Sequence, residues 1–260
     1  MGNTLGINTG DAGITYPYLV DYRQFADLFI YPANEGYKKR VLDIYDHLVE
    51  VLPEAAAALE PFVKFTQSCT LSDIQELFLR SFDLQAITTL DIGFILFGED
   101  YKRGQLLVNL NTEHKMAGNP CHTELADHLP NILNLLPKMK DDSMRCELTT
   151  RLLIPAVLKM KDEFSTDRVQ KKDVVYKKHQ KILLESSQQY RLIYQYCLKA
   201  LFIALENDFG YDAAVNEFLT QQSEQNDAAG VQGNAALCSG PVPQADYTRS
   251  IDTEMKIEKE

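Results

Sequence analysis

Glycine and proline are scarce in this sequence: 13 Gly and 10 Pro among 260 residues, together about 9% where ordinary chains have about 12%. The regular turn punctuation of an all-β sandwich or barrel is therefore missing. Positive charge is also in short supply, with 26 Lys and Arg against 37 Asp and Glu and a formal net charge of −11. A general nucleic-acid binder takes its affinity from neutralising phosphates with Lys and Arg, so this balance argues against one. The five cysteines (Cys69, Cys121, Cys146, Cys197, Cys238) are odd in number, widely spaced and without a C-x-x-C pair. They suit reduced thiols better than a disulfide framework. Residues 1–22 contain neither Lys nor Arg and no apolar core of a secretory signal. The most apolar stretch, Tyr190 to Leu205, is broken by Arg191, Gln195 and Lys199 and reads as a buried helix, not a membrane span. Phosphate-cradling G-x-x-x-x-G-K, dinucleotide G-x-G-x-x-G, G-x-S-x-G and H-E-x-x-H are all absent.

What is present is helical. Leu occurs 33 times against 28 for Val and Ile combined, and Leu loses less rotamer freedom in a helix than β-branched residues do. Apolar residues recur at spacings of three and four from Tyr18 to Tyr31, which Pro32 closes, and again from Glu35 to Leu52. Pro53 opens a third helix at its favoured first position, and Thr70 with Asp73 forms a capping signal for a fourth. Thr88 to Phe97 is almost continuously apolar and ends at Gly98; it reads as the centre of the core, as a helix before a strand. Helices are further expected over Tyr101 to Met116, Glu124 to Leu136, Met144 to Lys161 and Val174 to Phe209. The expectation is an all-α, single-domain bundle of about nine to ten helices over residues 17–220. A flexible arm precedes it at 1–16. A disordered acidic tail follows at 221–260, whose last forty residues hold seven acids and three bases.

Three groups of side chains invite chemistry. His114, Cys121, His122 and His128 are metal-ligand types within fifteen residues, but the paired spacing of a zinc site is missing, and a polar loop and helix end account for them. Cys121 beside His122 has the composition of a nucleophile and base, yet adjacent residues rarely make the side-chain hydrogen bond that this needs. Arg168, Lys171, Lys172, Lys177, Lys178 and Lys181 form either a patch for an anionic partner or a solvated helix face.

The stretch Ile74 to Leu136 carries an ordered set of blocks. Gln75, Glu76, Phe78, Phe82 and Asp83 come first. Gly98, Arg103, Gly104 and Leu107 follow in a G-x-x-x-x-R-G-x-x-L block. Ala117-Gly118 comes next, and then Glu124, Leu125, Asp127, Leu129 and Pro130 in an E-L-x-D-x-L-P block. In order and spacing they resemble the NarJ-type nitrate reductase assembly chaperones of the TorD/DmsD superfamily, over about residues 18–138; Ala126 stands where the family commonly has Pro.

The resemblance implies an all-helical, non-catalytic, cytoplasmic chaperone. Its partner would be the N-terminal leader segment of a molybdoenzyme catalytic subunit of the nitrate reductase/DMSO reductase family. It would hold that subunit until the molybdenum bis-guanine-dinucleotide cofactor is inserted, before membrane attachment or export. The chaperone itself would keep neither a cofactor nor a metal, bind no nucleic acid, and act as monomer or dimer. Glu124, Asp127 and His128 in the acidic block are expected to meet the partner, with Asp127 capping a helix as the alternative. Tyr101 and Arg103 are expected to be exposed at a helix start. Phe82 is expected in the core. Asp83 is expected to bond either a neighbouring backbone or Arg103. Gly98, Gly104, Leu129 and Pro130 belong to the structural motif. A non-catalytic helical adaptor for another protein partner is the alternative function.

Overall fold

The computed structural model describes residues 18–84, 86–165, 168–169 and 190–211. The expected N-terminal arm, the acidic tail and the basic run beyond Arg168 lie outside the described residues, as do Cys238 and the start of the Val174–Phe209 helix. Among the described residues the fold is all-helical, with one isolated antiparallel bridge and no strand.

The first helices follow from local chemistry. Asp21 accepts a hydrogen bond from the Arg23 amide and starts α1 (Tyr22–Leu28), which is shorter than the Tyr18–Tyr31 periodicity suggests. Helices α2 (Gly36–Val51) and α3 (Pro53–Ser68) follow, with Pro53 at the first position of α3. Thr70 and Asp73 form a reciprocal capping box for α4 (Leu71–Phe82), satisfying two amides that the first turn leaves without partners.

Five further helices follow: α5 (Ile92–Phe97), α6 (Tyr101–Met116), α7 (Leu129–Leu135), α8 (Asp142–Leu148) and α9 (Ile154–Glu163). A single π-turn over Thr149–Leu153 joins α8 to α9. Pro155 explains it, because a proline inside a helix lacks an amide hydrogen and its ring presses on the carbonyl four residues earlier. Finally α10 (Tyr194–Phe209) packs against α3 and α9.

The densest aromatic packing lies where α10 meets α3, and the Thr88–Phe97 run enters the same core through its first half, where Thr88, Leu90, Ile92 and Gly93 are buried. Around the α10–α3 contact Tyr37, Phe62, Tyr194, Leu198 and Leu201 are fully buried, and Phe62 and Tyr194 place their ring centres 5.0 Å apart. Phe82 is half-buried and joins the same aromatic group through Tyr194 (4.9 Å) and Phe78 (5.3 Å), as expected of a core residue. In the second half of the Thr88–Phe97 run, by contrast, Phe94 is 41% exposed and residues 95–97 are half-buried. Leu201→Ala is expected to cost about 2–5 kcal/mol through the cavity it leaves. Thr70→Ala is expected to cost about 1 kcal/mol through the lost cap. Denaturant midpoints measured by circular dichroism check this order.

Candidate functional site

The acidic block does not continue a helix. Residues 121–128 form turns, and α7 begins only at Leu129, with Pro130 in its first turn. This corrects the expected helix from Glu124 to Leu136. The turn is held by tertiary bonds: the Ile92 amide donates to the Asp127 carbonyl (2.9 Å) and the Leu129 amide donates to the Leu90 carbonyl (2.8 Å). Asp91 and His128 thereby face each other across the bridge, and His128 Nδ1 lies 3.0 Å from Asp91 Oδ1.

Arg103 joins this pair from the first turn of α6. Its Nε donates to Asp127 Oδ2 at 2.9 Å and its Nη2 to Asp91 Oδ2 at 3.0 Å. The Asp127 side chain is wholly buried, and that of Arg103 retains only 17% of its exposure. Arg103 is thus an interior residue, which corrects its expected exposure. Its carboxylate partners are Asp91 and Asp127; Asp83 instead ends α4, exposed, its amide donating to the Leu79 carbonyl at 2.8 Å. The His128 contact and then Arg103 hold the Asp91 carboxyl below its ordinary range, against partial burial.

Two residues outside the expected set complete the geometry. A Cβ at Gly93 would stand 2.6 Å from Asp127 Oδ2 and 3.1 Å from a Leu106 methyl, so only glycine lets α5 approach this closely. The guanidinium of Arg103 lies 5.4 Å from the centre of the Phe94 ring, within cation–π range. Phe94 also walls a cleft of about 560 Å3, whose other sides are Ala86 to Thr89, Ile95, Lys159, Asp162, Glu163 and Arg168. Asp91 was detectable, since it is the one charge inside the run from Thr88 to Phe97. Its partners were not, because they are far along the chain.

Of the remaining expected site residues, Tyr101 is 77% exposed and Glu124 is exposed in the turn. Leu129 is buried, and Pro130 is buried with it. Gly98 closes α5 with φ of 64°, a left-handed conformation that suits glycine. Nothing lies within 4 Å of where a Cβ at Gly104 would be. The four metal-ligand types do not converge: among the described residues no three His, Cys, Asp or Glu are grouped to hold an ion. Burial pushes the Cys121 thiol up, away from the thiolate that nucleophiles and metal ligands require.

No protein-family model matches the chain, and no curated protein matches it. No helix among the described residues is long and apolar enough to cross a membrane.

Removing Asp127 takes from Arg103 one of its two carboxylate partners and leaves Asp91, so Asp127→Ala is expected to cost about 1.5–3 kcal/mol, and Gly93→Ala about 1–3 kcal/mol through overpacking. Asp91, whose folded carboxyl titrates low, contributes stability that is complete above the ordinary carboxylate range and lost as pH falls through the lowered value. Asp91→Asn should therefore flatten the acid limb of stability measured by chemical denaturation between about pH 7 and pH 3.

Proposed function

We propose that this protein is a non-catalytic, cytoplasmic assembly chaperone of the NarJ type. It binds the N-terminal leader segment of a nitrate-reductase-like molybdoenzyme catalytic subunit. It holds that subunit while the molybdenum bis-guanine-dinucleotide cofactor is inserted, before membrane attachment or export. The cofactor belongs to the client, and the chaperone keeps none of its own.

One observation carries the reading. The G-x-x-x-x-R-G block and the E-L-x-D-x-L-P block, which make the resemblance specific, meet in space through the 2.9 Å contact of Arg103 with Asp127. Two blocks that are 24 residues apart at these positions thus form a single unit. Its interior members position the turn. Tyr101 and Glu124, with Phe94 and Leu125 both more than 40% exposed, offer the contact surface. The cleft beside Phe94 supplies room for apolar side chains of an amphipathic leader, in the manner of helix-in-groove recognition.

Calorimetric titration of the full chain with a synthetic leader peptide of a nitrate reductase catalytic subunit tests this. Saturable binding is expected, weakened about tenfold, or about 1.4 kcal/mol, by Tyr101→Ala or Glu124→Ala with thermal melting unchanged. Absence of binding both to the peptide and to the whole subunit overturns the reading.

A further inference from the structure

The turn that carries Glu124, Asp127 and His128 has a second attachment, made through a histidine that the candidate site does not use. His114, near the end of α6, is 3% exposed. Its Nε2 lies 3.0 Å from the Ala126 carbonyl, and its Nδ1 lies 2.9 Å from Asn119 Nδ2. The proton positions follow from Asn119. Lys138 Nζ, which only donates, reaches Asn119 Oδ1 at 2.7 Å, and Asn119 Nδ2 also donates to the Asn131 carbonyl at 3.1 Å. With its oxygen held by an ammonium, the amide presents NH2 to the histidine. Nδ1 therefore accepts, and Nε2–H donates to Ala126.

The amide has no freedom to turn over. Reversal would set its oxygen against the Asn131 carbonyl and its NH2 against the Lys138 ammonium, replacing two hydrogen bonds by two like-polarity contacts. A proton on His114 Nδ1 consequently meets a donor that cannot rearrange, at a buried site where an ion is poorly solvated. Lys138 is the charged group acting on His114, and it adds repulsion. Burial foremost, and Lys138 with it, hold the imidazole below its ordinary range, opposed by the backbone of Ala126 and of Asn119.

We propose that His114 is a proton-operated clasp, which holds the 119–126 segment closed while neutral and releases it when Nδ1 is protonated. The ties at stake are the Asn119 side chain, the Ala126 carbonyl and, through Asn131, the Leu125 carbonyl that accepts from Asn131 Nδ2 at 2.9 Å. The Arg103–Asp127 contact and the bridge at residues 91 and 128 hold the far end by separate bonds, so release is confined to the segment between. This inference is independent of the chaperone reading, since it concerns the segment's attachment and not what it binds.

Hydrogen–deuterium exchange on the full chain, corrected for intrinsic exchange rates, tests it between about pH 7.5 and pH 5. Protection over 119–126 is expected to fall about tenfold at the acid end while α3 and α10 keep theirs. His114→Gln, which offers one donor and one acceptor without titrating, should retain protection in acid. Lys138→Met removes one of the two contacts that fix the Asn119 amide, and with it the charge that repels a protonated ring, and should shift or abolish the loss. Unchanged protection in the wild type, or the same acid loss in both variants, overturns the proposal. Nitrogen NMR of His114 at neutral pH gives a check that needs no variant: the Nε2–H tautomer is expected, and the Nδ1–H tautomer overturns the clasp.

Discussion

Two carboxylates, Asp91 and Asp127, share one guanidinium, and the surrounding backbone is arranged so that they can. A buried, unpaired Asp127 would carry a desolvation penalty of several kcal/mol, and Arg103 relieves it only from the first turn of α6, with its planar fork turned so that Nε meets one carboxylate and Nη2 the other. That requirement sets the distance between α6 and the bridged segments. It also dictates the composition of α5: the position next to Asp127 must be Gly93, because a methyl group there would occupy the space of Oδ2. With Gly93 turned inward, the next residue round the helix, Phe94, lies at the surface, where its ring meets Arg103 and borders the cleft.

The 117–128 region is consequently held at its two ends by different chemistry. Towards Asp127 and His128 the bonds are between charges, or between an imidazole and a carboxylate, and lie partly in contact with water. Towards Asn119 and Ala126 no carboxylate takes part: a buried imidazole meets the Ala126 carbonyl and the Asn119 amide, whose oxygen is held by the Lys138 ammonium. At His114 a proton removes the acceptor on which the Asn119 amide depends. A turn without helical hydrogen bonds of its own needs such attachments, since its buried carbonyls must find partners elsewhere.

The legible part of the fold was the part with local causes. The capping box at Thr70 and Asp73, the proline at the start of α3 and the period of α2 and α6 all depend on residues within a few positions of each other, and each helix falls close to where its pattern puts it. The acidic block misleads for a tertiary reason. Leu125, Leu129 and Leu133 keep helical spacing, yet Pro130 has no amide hydrogen to give the Ala126 carbonyl, which His114 meets instead, and the Ile92 amide takes the carbonyl of Asp127. Pro130 was the local sign that the helix starts later, because proline is favoured in a first turn. The pairing of Arg103 with Asp91 and Asp127 carries no local sign. An ion pair between residues 12 and 24 positions apart has no period, and only the lone charge of Asp91 in an apolar run marked the place.

Burial also divides the residues of the acidic block by the kind of work they can do. Asp127 has no exposed side-chain surface, so it cannot touch a partner while the fold is intact; it acts by fixing Arg103 and the turn. Tyr101 and Glu124 are exposed and have no such side-chain bond among the described residues, and Phe94 and Leu125 are exposed as well. A motif of this kind joins two separable properties, a charged interior that sets the backbone and an exterior that the backbone presents. The interior is under the stricter chemical constraint, because a change there disturbs three partners at once.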